Sequence, residues 1–222
     1  AVTATINLPH ELTRETIRKV ALWLRTLESE RHSLLLIENI YDIYRAKQEE
    51  ILGVIFHLQG CHPFENDINN IDLFYKVGVR VVQLCYNTAD FVGCGCTESV
   101  DCGLTDFGYK VVKELNRVGI VVDCAHTGFK TTMDAIEVSS HPVIVSHGNA
   151  KAVCNNNRNL DDEVIVKIGK CGGVVGVTGY PNFVNMVKRK VDLVDLIEHI
   201  TYLVQLIGDD HVSIGIDYFG FQ

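Results

Sequence analysis

The sequence has no long apolar run and no block of basic residues. No segment approaches the ~18 to 20 consecutive apolar residues that a transmembrane helix requires. The opening residues lack the basic head and cleavage site of a signal peptide, so we expect a cytoplasmic protein. With 20 basic against 28 acidic residues and a net charge of −8, binding to nucleic acid or to anionic membranes is not supported.

The motifs of three common enzyme classes are also missing. The chain contains no G-x-S-x-G elbow, no P-loop and no H-E-x-x-H, so serine hydrolase, NTPase and zincin functions have no support. Internal repeats, low-complexity tracts and linkers are absent as well. Since the 222 residues are 47% hydrophobic, they can bury one large core, and we expect a single domain over residues 1–222.

Eight cysteines are spread through the chain rather than framing a small disulfide scaffold. Three lie in or beside apolar runs and are predicted to be buried thiols, namely Cys85, Cys124 and Cys171. Three others share a glycine-rich loop with C-x-C-x5-C spacing, namely Cys94, Cys96 and Cys102. Structural zinc sites favour paired C-x2-C units with a clear fourth ligand, so free thiols or one local disulfide are favoured over zinc here.

Strand-like and helix-like segments alternate along the chain. Strands are predicted at residues 2–6, 52–58, 79–86, 120–125, 143–146, 174–178 and 212–216. A first helix follows from the apolar stripe Ile17, Val20, Ala21, Leu24 and Leu27. A short apolar run at 34–37 precedes further helices at 40–49, 68–76, 105–117, 131–138, 161–168 and 191–207. Alternation of this kind indicates parallel strands joined by right-handed crossovers.

Seven strands on this rhythm predict an α/β fold of the (β/α)8 TIM-barrel type. A complete barrel of this type has eight strands and about 250 residues. We therefore expect a barrel without its first strand and its last helix, incomplete at both ends. A doubly wound open sheet is the alternative. It would normally carry a glycine-rich turn after its first strand, and Ile6-Asn7-Leu8-Pro9-His10 is no such turn.

Three of the apolar runs end on a residue that can bind a metal ion. Residues 119–125 lead to His126, residues 142–146 to His147 and residues 212–216 to Asp217. Catalytic residues collect at the carboxyl ends of barrel strands, and two neutral imidazoles there can converge on one zinc ion. Asp217 could add a ligand or carry a proton. Each residue alone could simply bond a loop backbone, but three at three strand ends favour a site.

Other polar residues follow the same strand ends. Gln59 ends the strand at 52–58, and its amide is a weaker metal ligand than a carboxylate but can orient water or substrate. Tyr86 and Asn87 lie at the end of the third predicted strand and place a phenol and an amide on the same rim, although Tyr86 could equally be a core residue with a solvated hydroxyl. Arg158 follows an asparagine run downstream of His147, where a guanidinium suits a bidentate grip on a substrate carboxylate. Five other histidines are predicted to be solvated, in helices or on the opposite rim: His10, His32, His141, His199 and His211.

Several of these segments resemble the membrane dipeptidase (renal dipeptidase) family, and the similarity covers essentially the whole chain. Its most specific parts are VVKELNRVGIVVDCAH at 111–126, PVIVSH at 142–147 and CNNNRNL at 154–160. RVVQLCYN at 80–87, running into GLTDFG at 103–108, is similar too. The resemblance implies an amidohydrolase-type barrel that hydrolyses small dipeptides at a two-zinc centre by metal-activated water. It is also compatible with a homodimer.

Carried over by position, the resemblance implies one zinc ion bound by His126 and His147. It implies that Asp217 ligates a second zinc ion and shuttles the proton, and that Arg158 grips the substrate carboxylate. Three positions depart from the family pattern. No His-x-Asp occurs in this chain, Gln59 stands at the bridging glutamate, and Tyr86 stands where a histidine usually contacts the substrate carbonyl. One or two zinc ions are therefore expected.

Two other functions remain open at this point. Gln59 and the missing His-x-Asp allow a non-catalytic barrel that binds a peptide or small carboxylate through Arg158 and the rim. A related metallohydrolase could instead act on another amide, a lactone or an ester, because pocket loops rather than the barrel set selectivity.

Overall fold

In the computed structural model, which describes residues 1–187 and 190–217, strands and helices alternate along the chain. The strands are β1 (Val2–Thr5), β2 (Leu34–Leu36), β3 (Leu52–Gln59), β4 (Val79–Gln83), β5 (Val121–Asp123), β6 (Val145–Gly148), β7 (Val175–Val177) and β8 (Val212–Ile214). The helices are α1 (Thr13–Ser29), α2 (Ile40–Gln48), α3 (Asn69–Lys76), α4 (Asp106–Val118), α5 (Phe129–Val138), α6 (Asp162–Lys170), α7 (Pro181–Val184) and α8 (Leu193–Ile207). Short 3-10 turns lie at His62–Phe64 and Asp209–His211.

All strand pairs are parallel and follow a barrel order. β1, β3, β4 and β5 pair in that sequence, and β6, β7 and β8 pair in a second run. The two runs meet at a parallel bridge between Asp123 and Ile144. Because parallel strands share their direction, their carboxyl ends lie on one rim. The predicted α/β barrel architecture is confirmed, and each of the seven predicted strands is present with slightly different bounds.

β2 is a strand that the sequence analysis did not predict. It pairs with the first residues of β3, in the register Leu34 to Leu52 and Leu36 to Val54. A segment of three half-buried leucines is too short to show a strand period. It therefore reads only as an apolar run, although β3 supplies its hydrogen-bond partners.

Local sequence sets the bounds of α4, which leads into the site. The Thr105 hydroxyl accepts a hydrogen bond from the Gly108 N–H and caps the amino end. Val111, Val112 and Leu115 point into the core and are fully buried. Gly119 ends the helix with φ +88° and an N–H that donates to the carbonyl of Leu115, a backbone conformation that favours glycine. The chain then enters β5 directly.

One continuous apolar core lies inside the barrel and between its wall and the helices. Its largest fully buried apolar side chains come from both strands and helices: Phe56, Phe64, Phe74, Leu58, Ile71, Leu84, Leu115, Ile165, Ile168 and Leu203. Burial of such side chains stabilises the fold by about 1.5–3 kcal/mol each. The rigid wall holds the rim residues in place.

The prediction that His199 is solvated is wrong. It lies on the inner face of α8 and is fully buried, because that face packs against the barrel. Its Nε2 donates to the carbonyl of Val184 at 2.9 Å, and its Nδ1 accepts from the N–H of Ala150 at 3.3 Å. Only a neutral imidazole can make both bonds. Burial also lowers the pKa of His199, because the charged form of the ring would lose its hydration.

We expect His199 to make the fold sensitive to mild acid. Its pKa is lower in the folded than in the unfolded chain, so the unfolded chain binds the proton first and stability falls as pH drops below about 6.5. Urea unfolding of the His199→Gln variant should show a smaller fall in unfolding free energy over that range. The exposed His141, replaced by glutamine, is the matched control. Equal pH slopes in all three proteins would contradict this role.

Candidate functional site

His126 and His147 lie side by side where β5 and β6 end. Their Nε2 atoms are 2.8 Å apart, and each residue is 6% exposed. Burial, followed by the positive charge of Arg158, lowers the pKa of both imidazoles, that of His147 to about 3. Both rings are therefore neutral at pH 7, which is the form that binds metal ions.

The outer nitrogen of His126 has two competing hydrogen-bond partners. Its Nδ1 lies 2.7 Å from Oδ1 of Asn87 and 3.2 Å from Nε of Arg158. A neutral ring either donates from Nδ1 to Asn87 or accepts there from Arg158, so the two bonds exclude each other. In the first arrangement the Nε2 lone pair of His126 is free to bind a metal ion. In the second, Nε2 carries the proton and donates to His147.

A buried carboxylate supports the other imidazole. Nδ1 of His147 lies 2.8 Å from Oγ of Ser146, and the Ser146 hydroxyl donates to Asp123. Asp123 is fully buried and also accepts from the N–H groups of Ala125 and Ser146. Burial raises its pKa, but the imidazoles of His57 and His147 outweigh that effect, and the pKa of Asp123 is about 2. Asp123 is thus a permanent negative charge beneath the histidine pair.

His57 reaches the same carboxylate from β3. Its Nε2 lies 3.2 Å from Oδ2 of Asp123 without the alignment of a hydrogen bond, and the residue is 4% exposed. The sequence analysis placed Asn87 on the rim without linking it to His126, and it missed Ser146, Asp123 and His57. The sequence did contain a signal for Asp123 and His57. An ionisable residue inside an apolar strand is rarely buried without a partner.

Arg158 is a buried cation at the centre of the site, 5% exposed. Its Nη2 donates to the carbonyl of His147 at 2.9 Å. Within residues 1–187 and 190–217, none of the salt bridges includes its guanidinium. A buried charge is costly unless it is paired, so this guanidinium is suited to an anionic ligand. Burial lowers its pKa, while Cys96, Asp123 and Asp217 act in the opposite direction.

Three other predicted site residues lie on the same rim, namely Tyr86, Asp217 and Gln59. Of these, Tyr86 contacts the histidine pair directly. The Tyr86 ring stacks on His126 with centroids 4.2 Å apart. Asp217 follows β8 and is half-buried, and burial raises its pKa while the positive charges of Arg158 and His57 oppose that rise. Gln59 ends β3, and its backbone N–H donates to the Asn7 side chain at 2.7 Å.

Three rim residues adopt left-handed backbone conformations although none is glycine. Asn87, His126 and Asp217 have φ values of 63°, 62° and 59°. Such conformations cost on the order of 1–3 kcal/mol each and cluster at functional sites. Gly95 crosses close by, and a Cβ there would lie 2.0 Å from the carbonyl carbon of Asn87. The residues on either side of Gly95 also bind the His126 loop. The Cys96 N–H donates to the His126 carbonyl, and the Cys94 carbonyl accepts from the Gly128 N–H.

A cavity of about 260 Å³ opens beside His126 and Arg158. It lies between the loop around Cys96 and the loop around Asn159, and its wall is polar. The volume is below the ~300–1,000 Å³ of pockets for drug-sized ligands. The cavity therefore fits a small polar molecule.

All eight cysteines are free thiols in the structure. Cys85 and Cys124 are buried as expected, while Cys171 is partly exposed. In the cysteine-rich loop, the N–H of Cys102 donates to Sγ of Cys94 at 3.4 Å. Within the described residues, no group of three or more His, Cys, Asp or Glu side chains surrounds a common metal position.

The two imidazoles nevertheless fit one metal ion. Zinc–nitrogen distances of about 2.0–2.1 Å place two ligand nitrogens of a tetrahedron about 3.3 Å apart. The Nε2 atoms of His126 and His147 would have to separate by about half an ångström from 2.8 Å to reach that spacing. Asn87 and Ser146 can accept the proton of each Nδ1, as partners of metal-ligating histidines do. A carboxylate bridge to a second ion is not provided by Gln59.

Comparison with known proteins gives consistent relatives. A family model described as membrane dipeptidase (peptidase family M19) matches residues 4–222. Dipeptidase tcpJ of Claviceps purpurea (strain 20.1) is 27% identical over 213 residues, which are 95% of this chain and 50% of that protein. The chain therefore spans half the length of this relative. No helix within residues 1–187 and 190–217 is long and apolar enough to cross a membrane.

Solved structures share the fold closely. An amidohydrolase from Pseudomonas aeruginosa superposes with a TM-score of 0.94 at 32% identity, over 99% of this chain and 67% of the other. A metallo peptidase from Rhodobacter sphaeroides, liganded with a phosphinate mimic of the dipeptide L-Ala-D-Ala, superposes with a TM-score of 0.88 at 24% identity. It covers 93% of this chain and 61% of that one, and at this identity it supports the fold alone.

Proposed function

The chain belongs to the membrane dipeptidase family, peptidase family M19, and is metallopeptidase-like; on this basis we propose that it is a zinc-dependent hydrolase that cleaves the amide bond of dipeptides. The observation that carries the proposal is the convergence of two neutral imidazole nitrogens, 2.8 Å apart, beside a buried guanidinium that forms no salt bridge with any carboxylate of the described residues. Together they combine a metal-binding pair with an anion-binding group.

In this proposal His126 and His147 would hold one zinc ion, while Asp217 and Gln59, on the same rim but not grouped with the histidine pair, would supply oxygen atoms to a second ion. Bound zinc would supply Lewis acidity, polarising the amide carbonyl and activating water. Asn87 and Ser146 keep both Nδ1 protons in place, so that the two Nε2 lone pairs point inward. Asp123 fixes Ser146 from below and compensates positive charge at the pair.

The remaining residues bind the substrate and move its proton. Arg158 binds the terminal carboxylate of the dipeptide, which replaces the missing counter-charge of its guanidinium. The Tyr86 ring covers His126 and limits access of bulk water, while its hydroxyl can orient the substrate carbonyl. Asp217 carries the proton from the attacking water to the leaving amine. The polar cavity of about 260 Å³ gives a small polar molecule access to His126 and Arg158, although His147, Tyr86 and Asp217 do not line it.

The proposal is tested by removing zinc from the purified full-length protein and then adding it back. Chelation should abolish release of amino acids from a panel of dipeptides, and added zinc should restore it. Dipeptide amides should be poor substrates, because they lack the carboxylate that Arg158 binds. Measurement is by chromatographic quantification of free amino acids. No hydrolysis of any dipeptide at saturating zinc would refute the proposed activity.

A second function is supported by a specific observation. In the described part of the chain no third His, Cys, Asp or Glu joins the histidine pair around one metal position, and Gln59 replaces a carboxylate. A non-catalytic protein that binds a small carboxylate through Arg158 fits this arrangement. Calorimetric dipeptide binding without stoichiometric zinc in elemental analysis would favour this function over hydrolysis.

A further inference from the structure

A second pair of imidazoles lies at the same rim, in the segments that follow β1 and β3. His10 sits in the loop between β1 and α1, and His62 begins the 3-10 turn that follows β3. Nδ1 of His10 and Nε2 of His62 are 3.3 Å apart, and the two rings meet edge to face. The prediction that His10 lies on the opposite rim is therefore wrong, although it is exposed as expected.

The other nitrogen of His62 faces a buried carboxylate. Nδ1 of His62 lies 4.0 Å from Oδ2 of Asp90, whose side chain is 3% exposed. Oδ1 of Asp90 accepts from the N–H groups of Val92 and Gly93, whereas its buried Oδ2 has no hydrogen-bond partner in the described structure. A buried oxygen of this kind calls for an explanation. Nδ1 of His62 is the ring nitrogen that faces this oxygen, at an ion-pair distance of 4.0 Å that is longer than a hydrogen bond.

We propose that His10 and His62 bind a divalent transition-metal ion such as Zn²⁺ or Cu²⁺, with Asp90 as the positioning residue for His62. Metal-ligating histidines usually donate their second N–H to a carboxylate, and Asp90 stands in that place. Imidazole nitrogen is a ligand that both ions favour. With its proton on Nδ1, the nitrogen that faces Asp90, His62 would direct the lone pair of Nε2 toward His10.

The spacing of the pair matches a metal ion directly. Two nitrogens bound to tetrahedral zinc lie about 3.3 Å apart, which is the separation found here. Phe91 packs against the His62 ring with centroids 5.4 Å apart and holds its plane. Since His10 is exposed and His62 partly so, water can complete the coordination. The ion would tie the loop after β1 to the loop after β3.

The site is tested by titrating metal ions into the purified full-length protein after a chelator has removed bound metal. Zn²⁺ alone is titrated by calorimetry, and Cu²⁺ alone by electron paramagnetic resonance, which detects coordinated imidazole nitrogens. We expect the wild type to bind one more equivalent than His10→Gln or His62→Gln, and Asp90→Asn to lower the affinity of that equivalent roughly 10- to 100-fold. Replacement of the exposed His141 by glutamine should leave binding unchanged.

The variants also separate this site from the proposed hydrolytic centre. His147→Ala should remove a different equivalent and keep the one that depends on His10, so either proposal can fail without the other. His10 is on the surface, and its replacement by glutamine keeps the fold, which a thermal melt verifies. Equal stoichiometry and affinity in wild type and His10→Gln would overturn the proposal.

Discussion

The His147→Ala variant is expected to lose kcat/KM for dipeptide hydrolysis by about three orders of magnitude, since metal polarisation supplies several kcal/mol and about 4 kcal/mol corresponds to ~10³-fold. Among residues 1–187 and 190–217, two imidazoles converge here, and each is buried with its outer nitrogen already engaged. Removing one leaves a single ligand, which holds zinc weakly. Zinc content by elemental analysis should fall together with activity.

Controls separate chemistry from folding in this experiment. His147→Gln retains most of the side-chain volume and should lose activity to a similar extent while melting close to the wild type. His141→Ala, on the surface, should change neither activity nor zinc content. Unchanged kcat/KM in a folded His147→Ala protein would show that the pair does not hold the catalytic metal.

Replacing Asp123 with alanine is expected to lower the free energy of unfolding by about 3–5 kcal/mol, the cost of removing one partner from a buried charged network. The loss leaves the N–H groups of Ala125 and Ser146 and the Ser146 hydroxyl without their acceptor. It also leaves the buried His57 imidazole without its carboxylate neighbour. Urea unfolding at pH 7, followed by circular dichroism, measures the change.

Two control variants are compared with Asp123→Ala in this stability experiment. Asp72→Ala removes an exposed carboxylate that pairs with Arg117 on the surface and should change stability little. Ser146→Ala removes two hydrogen bonds of the hydroxyl, one to Asp123 and one with Nδ1 of His147, but keeps the buried charge, so its effect should lie between the two. An Asp123→Ala protein as stable as Asp72→Ala would show that the buried network does not support the barrel.

The sequence allowed the barrel and the ends of its strands to be predicted, because parallel β/α alternation leaves a strong periodic pattern. It also led to His126, His147 and Arg158, since each follows a strand end or an adjoining loop. The partners of these residues were harder to find. Asp123 contacts His57 across a long stretch of chain, and such a contact depends on strand order and register rather than on local spacing.

Other differences depend on helix packing or on a backbone turn that the sequence pattern does not show. His199 reads as a polar residue in a helix, and only the packing of α8 reveals that its face is buried. The role of Asn87 depends on a left-handed backbone turn with φ 63°, which brings its amide to His126. No pattern of neighbouring residues in the sequence specifies that turn.

In the proposed hydrolase, the two mutually exclusive hydrogen bonds of His126, to Asn87 and from Arg158, would couple zinc binding to carboxylate binding. While Arg158 donates to Nδ1 of His126, its Nε is occupied and the ring presents a proton toward His147. Zinc at Nε2 would shift that proton to Nδ1 and Asn87, releasing the guanidinium to receive an anion. By reciprocity, a bound carboxylate must then tighten zinc by the same factor by which zinc tightens the carboxylate.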